Sequence, residues 1–372
     1  MKLIVISSSP FVAKSEGYEA YSPYIREMEI WARHADAIGF CCPVWKSDRG
    51  TLVGPIAFPI ARLFEAQDFN ITTFGAMIQA IGNSFHNFRQ LFAAMCWADH
   101  IHLRCPGNLG LMGCIVQIFF PRKPKTAKYA GNWDPKAKQP WSYKLQRWIL
   151  SNTFLTRNMQ VLVYGEWPAQ TKNIKPFFTA TYREADKRPV QVRPLQGTLQ
   201  AMFVGTLSPG KRPLYAVQLV AALRERGIDM QLSLYGHGVE KQMLENYIGQ
   251  NKLEKNIFLK GNQPRETVQE AFTQSHFVML PSQSEGWPKV VAEGMFWGCL
   301  PVASRVSCVS SMLNQGNRGV LLDMDFEKDA SQLETLIKNP AAYVDKVEKS
   351  IAWSRQYTMD VFENEIKMLL QP

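Results

Sequence analysis

Two glutamates eight positions apart give the sharpest chemical signal in this chain. Glu285 stands in Pro281-Ser282-Gln283-Ser284-Glu285-Gly286-Trp287-Pro288, and Glu293 follows in Lys289-Val290-Val291-Ala292-Glu293-Gly294. The apolar run Phe277–Leu280 reads as a strand, Pro288 opens a helix, and a loop joins them. Glu285 then lies in the loop and Glu293 in the second helical turn. Carboxylates accept hydrogen bonds from sugar hydroxyls, usually two at a time, so each acid can meet one end of an extended ligand. The helix start at Lys289 and Val290 offers backbone N–H groups and a positive dipole end, a ready seat for phosphate. Gly286 lets a ligand approach the backbone closely. Alone, two such glutamates would read as ordinary surface acids. The preceding Pro-Ser, the glycine and the following Gly298-x-x-Pro301 set them apart.

A second group is Phe203-Val204-Gly205-Thr206-Leu207-Ser208-Pro209-Gly210-Lys211-Arg212-Pro213, between a strand and a helix. Lys211 and Arg212 can neutralise a departing diphosphate, worth ~3–4 kcal/mol of barrier per well-placed donor. In isolation the same residues are a basic turn that starts a helix. Tyr235-Gly236-His237-Gly238 follows another strand but lacks the third glycine of a dinucleotide fingerprint, and His237 reads as a loop residue.

These loops need two alternating strand–helix arrays to hold them. In the first, Lys2–Ser7, Ala37–Val44, Phe69–Phe74, His100–Arg104 and Met159–Tyr164 read as strands. A helix starts at Ser22-Pro23, and Gly110–Phe120 reads as a buried helix. Around Lys187–Leu199 the pattern breaks at Pro189 and Pro194. Strands are then expected at Gln200–Val204, Met230–Tyr235, Ile257–Lys260, Phe277–Leu280, Leu300–Ser304 and Val320–Leu322. The helices between them are Leu214–Arg226, Lys241–Asn251, Pro264–Gln274 and Lys289–Trp297. The expected domains are 1–192 and 193–348, with a C-terminal helix over 349–372 packing back on the first. Ligands of such sheets sit at the carboxyl ends of the strands, here in the cleft between domains.

A net charge of +10 implies an anionic partner. Between Pro121 and Arg147 stand Arg122, Lys123, Lys125, Lys128, Lys136, Lys138, Lys144 and Arg147 against one acid, Asp134. The tract is interleaved with Tyr129, Trp133, Trp141 and Tyr143. It reads either as a solvated loop or as a surface for anionic lipid or a phosphate-bearing acceptor. No nucleic-acid recognition motif is present. Seven scattered cysteines without a C-x-x-C pair read as reduced thiols of a cytosolic protein. Met1–Pro10 reads as a buried first strand and not as a secretory segment. Leu109–Phe120 falls short of the ~20 residues that span a bilayer.

Taken in order, Gly205…Lys211, Gly236-x-Gly238, Gly261, Pro281-Ser282-x-x-Glu285-Gly286, Glu293 and Gly298-x-x-Pro301-Val302 resemble the retaining glycosyltransferase family 4 and its relatives, over about Gln200 to Asp323. The form Ser-Glu-Gly-Trp-Pro-Lys is similar to a bacterial subgroup. The resemblance implies an α/β GT-B fold, two Rossmann-like doubly wound domains facing a central cleft. It implies a hexosyltransferase-like enzyme that moves a sugar from a nucleoside diphosphate to a hydroxyl of a glycan or glycolipid acceptor. Configuration would be retained, with no metal and no cofactor beyond the donor, in cell-surface polysaccharide or glycoconjugate synthesis. The one Asp-x-Asp, Asp323-Met324-Asp325, lies well past the donor motif.

The resemblance also implies roles. Glu285 matches the acid on the donor-sugar hydroxyls, Glu293 the acid on the ribose, and Lys211 the lysine on the diphosphate. Gly286, Trp287, Pro288, Lys289 and Val290 match the segment beneath that diphosphate, and Gly205, Thr206 and Gly236 the neighbouring loops. Gly261 and Asn262 occupy the place of the base. Relatives commonly carry Arg after the first glycine, where this chain has Thr206; either Arg212 takes over that charge or one phosphate contact is missing. In the acceptor domain, Gly17, Glu19, His86, Arg104 and Asn108 are candidates, with His100 and His102. Trp133, Trp141 and Trp148 could stack on sugars, fill the core or anchor at a membrane interface. The implied location is cytoplasmic, peripheral on the inner face of the plasma membrane. The rival readings are a GT-B epimerase or phosphorylase, and a basic binding protein with a decayed active site.

Overall fold

The computed structural model describes residues 1–50, 53–68 and 74–371, the side chains of 74–81 excepted. The chain divides into two units, Met1–Phe177 with Glu363–Pro372, and Phe178–Phe362.

The first unit contains β1 (Lys2–Ile6), β2 (Phe11–Lys14), β3 (Gly17–Tyr21), α1 (Ser22–Arg33), β4 (Ala37–Trp45), β5 (Val53–Pro55), β6 (Arg62–Ala66), α2 (Phe74–Trp97), β7 (His100–Cys105), α3 (Asn108–Val116), β8 (Lys125–Tyr129), α4 (Trp141–Ser151), β9 (Met159–Tyr164) and β10 (Ile174–Phe177). Strands β10, β9, β8, β7, β1 and β4 run parallel in that order, and β6 also pairs parallel with β4. The β2–β3 hairpin and β5 extend the sheet. Helix α3 packs against both α2 and α4, so these three form one layer. Beneath them Leu91, Met95, Leu109, Val116, Ile149 and Leu150 cover Ile4, Ile6, Leu103 and Val161.

The second unit contains β11 (Leu199–Val204), α5 (Pro213–Glu225), β12 (Met230–Tyr235), α6 (Lys241–Gln250), β13 (Ile257–Gly261), α7 (Arg265–Gln274), β14 (Phe277–Leu280), α8 (Lys289–Phe296), β15 (Leu300–Ser304), α9 (Val309–Met312), β16 (Val320–Leu322), α10 (Phe326–Ile337) and α11 (Pro340–Ser354). Helix α12 (Met359–Leu370) closes the chain. The sheet order is β13-β12-β11-β14-β15-β16, all parallel. Strands covered on both faces must be apolar throughout, and every residue of β14, β15 and β16 is buried. Helix α5 follows from its sequence: Pro213 stands at its first turn, Ala216, Val217, Val220 and Leu223 line its buried face, and Gly227 at φ 86° ends it.

Strands β12, β14, β15 and β16 have the bounds read from the sequence. The strand expected over Phe69–Phe74 lies outside the described residues, except that Phe74 opens α2. The division between units falls after Phe177, not at 192/193. Arg193 explains the shift, because its guanidinium donates to the carbonyls of Phe272, Thr273, Trp297 and Gly298 and so ties the preceding segment to the second unit. The expected terminal helix over 349–372 is also redrawn. Helix α11 belongs to the second core, where Tyr343 packs on Phe277, and only Glu363–Pro372 groups with the first unit. There Glu363 meets Arg33 and Glu365 meets Lys175.

Candidate functional site

In the second unit the strand order reverses between β11 and β14, so the loops leaving these two strands part to opposite faces. The gap they leave at the carboxyl ends is where open α/β sheets hold ligands. The loops that border it are the two read from the sequence, 205–212 and 281–288. Their backbones join where Gln283 N donates to Gly210 O at 2.8 Å. Their charges join too: Lys211 Nζ donates to Glu285 Oε1 at 2.6 Å. Glu285 is nearly buried and Lys211 half-exposed. Arg212 stands beside them at the N-cap of α5, in the left-handed region at φ 50°. Thr206 is exposed.

The second loop is anchored from behind by the segment after β15. Ser304 Oγ donates to Ser282 O at 2.5 Å, and Ser307 Oγ and Cys308 Sγ donate to Gly286 O. The glycines of the next loop have a different task. A Cβ on Gly236 would lie 1.9 Å from Gly205 O, and one on Gly238 would lie 2.2 Å from Leu207 O. These two glycines let the β11 and β12 loops touch, with Gly205 N donating to Tyr235 O and Leu207 N to His237 O. Gly236 N in turn donates to Gly261 O, and Asn262 beyond it is exposed. Gly236 thus serves the close packing of these loops.

Pro288 caps α8, whose first turn holds Lys289 and Val290. One turn on, Glu293 accepts from Thr181 Oγ1 at 2.6 Å, and Arg265 holds the Thr181 carbonyl. Burial pushes the Tyr182 hydroxyl well above its usual range, and the Glu293 charge adds to this. The ring of Trp287 packs against Phe178, Trp353 and Tyr357, an aromatic cluster that fixes the loop.

The candidates of the first unit do not gather. Gly17 is exposed at φ 102° in the β2–β3 turn, and Glu19 pairs with Lys14 across it. His86 bonds Glu65 O at 3.0 Å, and Asn108 is exposed at the start of α3. His100 and His102 share Thr126 Oγ1 in the core, where burial lowers His100 to about 4 and holds His102 well below the usual imidazole range. Arg104 is committed to Glu27, which Lys128 also meets at 2.9 Å. Burial would raise the Glu27 carboxyl, but the Arg104 and Lys128 charges override it and hold it far below the carboxylate range.

The tract from Arg122 to Arg147 is also corrected. Lys123 Nζ donates to the carbonyls of Met95, Cys96 and Ala98, and Arg147 to Asp134 O. Lys125 and Lys128 lie buried in β8, and burial pulls Lys125 down to about 8. Four of the eight cations thus hold the fold together. Trp133 is buried on Tyr129, whereas Trp141 and Trp148 are exposed. Asp323 pairs with Arg305 and Lys328, and Asp325 caps α10. Sequence reasoning missed Thr181, Arg265, Ser304 and Glu27. Only Ser304 had a readable signal, its place at the end of an otherwise apolar strand.

Residues 186–353 match the family model described as glycosyl transferases group 1. A D-inositol 3-phosphate glycosyltransferase of Pseudarthrobacter chlorophenolicus is 28% identical over 173 residues, 45% of this chain and 41% of that one. An uncharacterized glycosyltransferase of Haemophilus influenzae is 30% identical over 173 residues, 45% and 48% of the two chains. The matched part spans less than half the length of these curated relatives. Among solved structures, Anabaena HepE in complex with UDP aligns over 98% of both chains, with 14% identity and a TM-score of 0.69. That likeness shows the fold, GT-B with two Rossmann-like domains.

Proposed function

We propose that this chain, whose second unit carries a group 1 glycosyltransferase domain, moves a hexose from a nucleoside-diphosphate sugar to a hydroxyl of a glycan or lipid-linked glycan. The observation that carries the reading is the meeting of Lys211 with Glu285 beside the start of α8, at the reversal point of the sheet. A donor would engage the two charges separately. Its diphosphate would lie over the first turn of α8 and draw Lys211 and Arg212, while its sugar hydroxyls would take Glu285. Glu293 would hold the ribose, and Gly261 with Asn262 would border the base.

In this reading the bond between the anomeric carbon and the phosphate oxygen breaks as the acceptor oxygen bonds that carbon from the same face. The acceptor proton passes to the departing phosphate, which retains the configuration, as in glycosyltransferase family 4. Lys211, Arg212 and the α8 dipole supply the positive charge that a metal supplies elsewhere. The first unit would hold the acceptor. The location would be cytoplasmic, against the inner face of the plasma membrane, in surface polysaccharide or glycoconjugate synthesis.

Thermal-shift titration with UDP, GDP, ADP and their sugars tests the donor, with UDP first because the fold relative binds it. Stabilisation by one nucleotide family is expected, with turnover unaffected by EDTA and a product of unchanged anomeric configuration by NMR. No stabilisation by any of them would favour a binding protein with a decayed site. Donor epimerised or phosphorolysed without acceptor would favour the other reactions of this fold.

A further inference from the structure

The outer face of the α2–α3–α4 layer is apolar where a solvated helix layer should be polar. Phe85, Phe88 and Phe92 follow at helical spacing along α2, with Phe85 69% exposed. Phe88 stacks on Phe92 and meets Phe119 edge-on, both at 6.5 Å, and Phe92 meets Phe120 at 5.2 Å. The rings thus form one surface that crosses from α2 to the end of α3. The 152–158 segment adjoins it through Asn158 Nδ2 on Pro121 O and Gln117 Nε2 on Leu155 O, and brings in Phe154, 71% exposed. On α4, Trp141, Lys144 and Trp148 share an exposed face.

Charge says what covers this surface. The sequence has no Asp or Glu over 74–97, 108–128 or 141–158, though the chain holds 32 acids. The exposed charges there are cations: Arg89 beside the α2 rings, Arg122 after Phe120, Arg157 over the Phe154 ring at 4.6 Å, and Lys144. Next to Arg157 the surface dips into a pocket of about 660 Å³ whose lining includes Lys172 and no carboxylate. Aromatic rings on segments whose described exposed charges are cations suit the headgroup level of an anionic bilayer. Among the described residues no helix is long and apolar enough to cross a membrane.

We propose that this chain docks on anionic bilayers through the α2–α3–α4 face, its phenylalanines entering the acyl boundary and Arg89, Arg122 and Arg157 meeting lipid phosphates. This deepens the peripheral location given above and rests on it. Of the 122–147 tract Arg122 belongs to this face, whereas Lys123, Lys125 and Lys128 are bound inside the unit.

Co-sedimentation with phosphatidylglycerol–phosphatidylcholine vesicles, against phosphatidylcholine alone, tests the proposal. The wild type should pellet with the anionic vesicles and detach in high salt. Arg89→Gln, Arg122→Gln and Arg157→Gln together should lower partition roughly 100-fold, about fivefold per cation. Phe85→Ser, Phe119→Ser and Phe154→Ser together should lower it at least about tenfold, since even half-burying three phenyl rings is worth more than that. Both variants should keep the wild-type melting temperature and nucleotide response, which separates this test from that of the transferase reading. A wild type that stays in the supernatant, or variants that pellet like it, would overturn the proposal. So would a dimer in sedimentation velocity that the phenylalanine variant turns into monomer, because the face would then bind a second copy.

Discussion

Replacing Lys211 by alanine removes an ammonium that lies 2.6 Å from Glu285 Oε1, with side chains 31% and 8% exposed. Two effects of different size follow. As a structural contact, a pair with one wet partner is worth about 1 kcal/mol at most. That would lower the melting temperature by about 2–4 °C. As a stabiliser of the departing diphosphate, Lys211 is worth ~2.7–4 kcal/mol of barrier, a loss of ~10²–10³ in kcat. The second effect dominates, so Lys211→Ala should remain folded while turnover nearly disappears. The double variant Lys211→Ala/Glu285→Gln sharpens the distinction, because it removes the uncompensated acid as well. Stability should return in it and turnover should not. Release of nucleoside diphosphate at saturating donor, well below the melting temperature, measures the effect. A folded Lys211→Ala enzyme within about threefold of wild-type kcat would refute the assigned role.

The two glutamates should separate. Glu293→Ala should weaken nucleoside-diphosphate binding ~10-fold or more by calorimetry, the loss of a charge-assisted hydrogen bond. Glu285→Ala should leave that binding nearly intact and blur the choice between donor sugars; the reverse pattern would exchange the roles. Glu27→Gln should cost about 3–5 kcal/mol in denaturant unfolding, because it leaves Arg104 and Lys128 facing each other without an anion. The Glu27 carboxyl is lowered in the folded protein, so its contribution is complete above the ordinary value of ~4.3 and shrinks as pH falls below it. The gap between wild type and variant should therefore narrow on acidification, and a gap independent of pH down to acid unfolding would count against the trio. Gly236→Ala should destabilise by more than ~1 kcal/mol, because its methyl would overlap Gly205 O, and a wild-type melting curve would contradict that.

The second unit was legible because its signals are local. Short apolar runs fixed β14, β15 and β16 to the residue, since strands buried on both faces are apolar throughout, and the alternating Met-Gln-Leu-Ser-Leu-Tyr before Gly236 fixed β12. The spacing from Glu285 to Glu293 placed one acid in a loop and the other a turn into a helix, as found. Pairing across long separations was not legible. Lys-Thr-Ala-Lys-Tyr reads as a solvated stretch by composition, yet it is the buried strand β8. Its second lysine is tolerated because Glu27, about a hundred residues earlier, reaches it from α1. Lys123 likewise ends on carbonyls of α2 and the residues after it, which no local pattern predicts. By itself, then, the sequence determined the strands of the second unit and the loops that leave them, because burial periodicity and turn residues act over a few positions. Only the tertiary structure decided which charges are partners, which glycines are spacers and which face of the helices stays apolar in water, because those depend on neighbours the chain brings together only on folding.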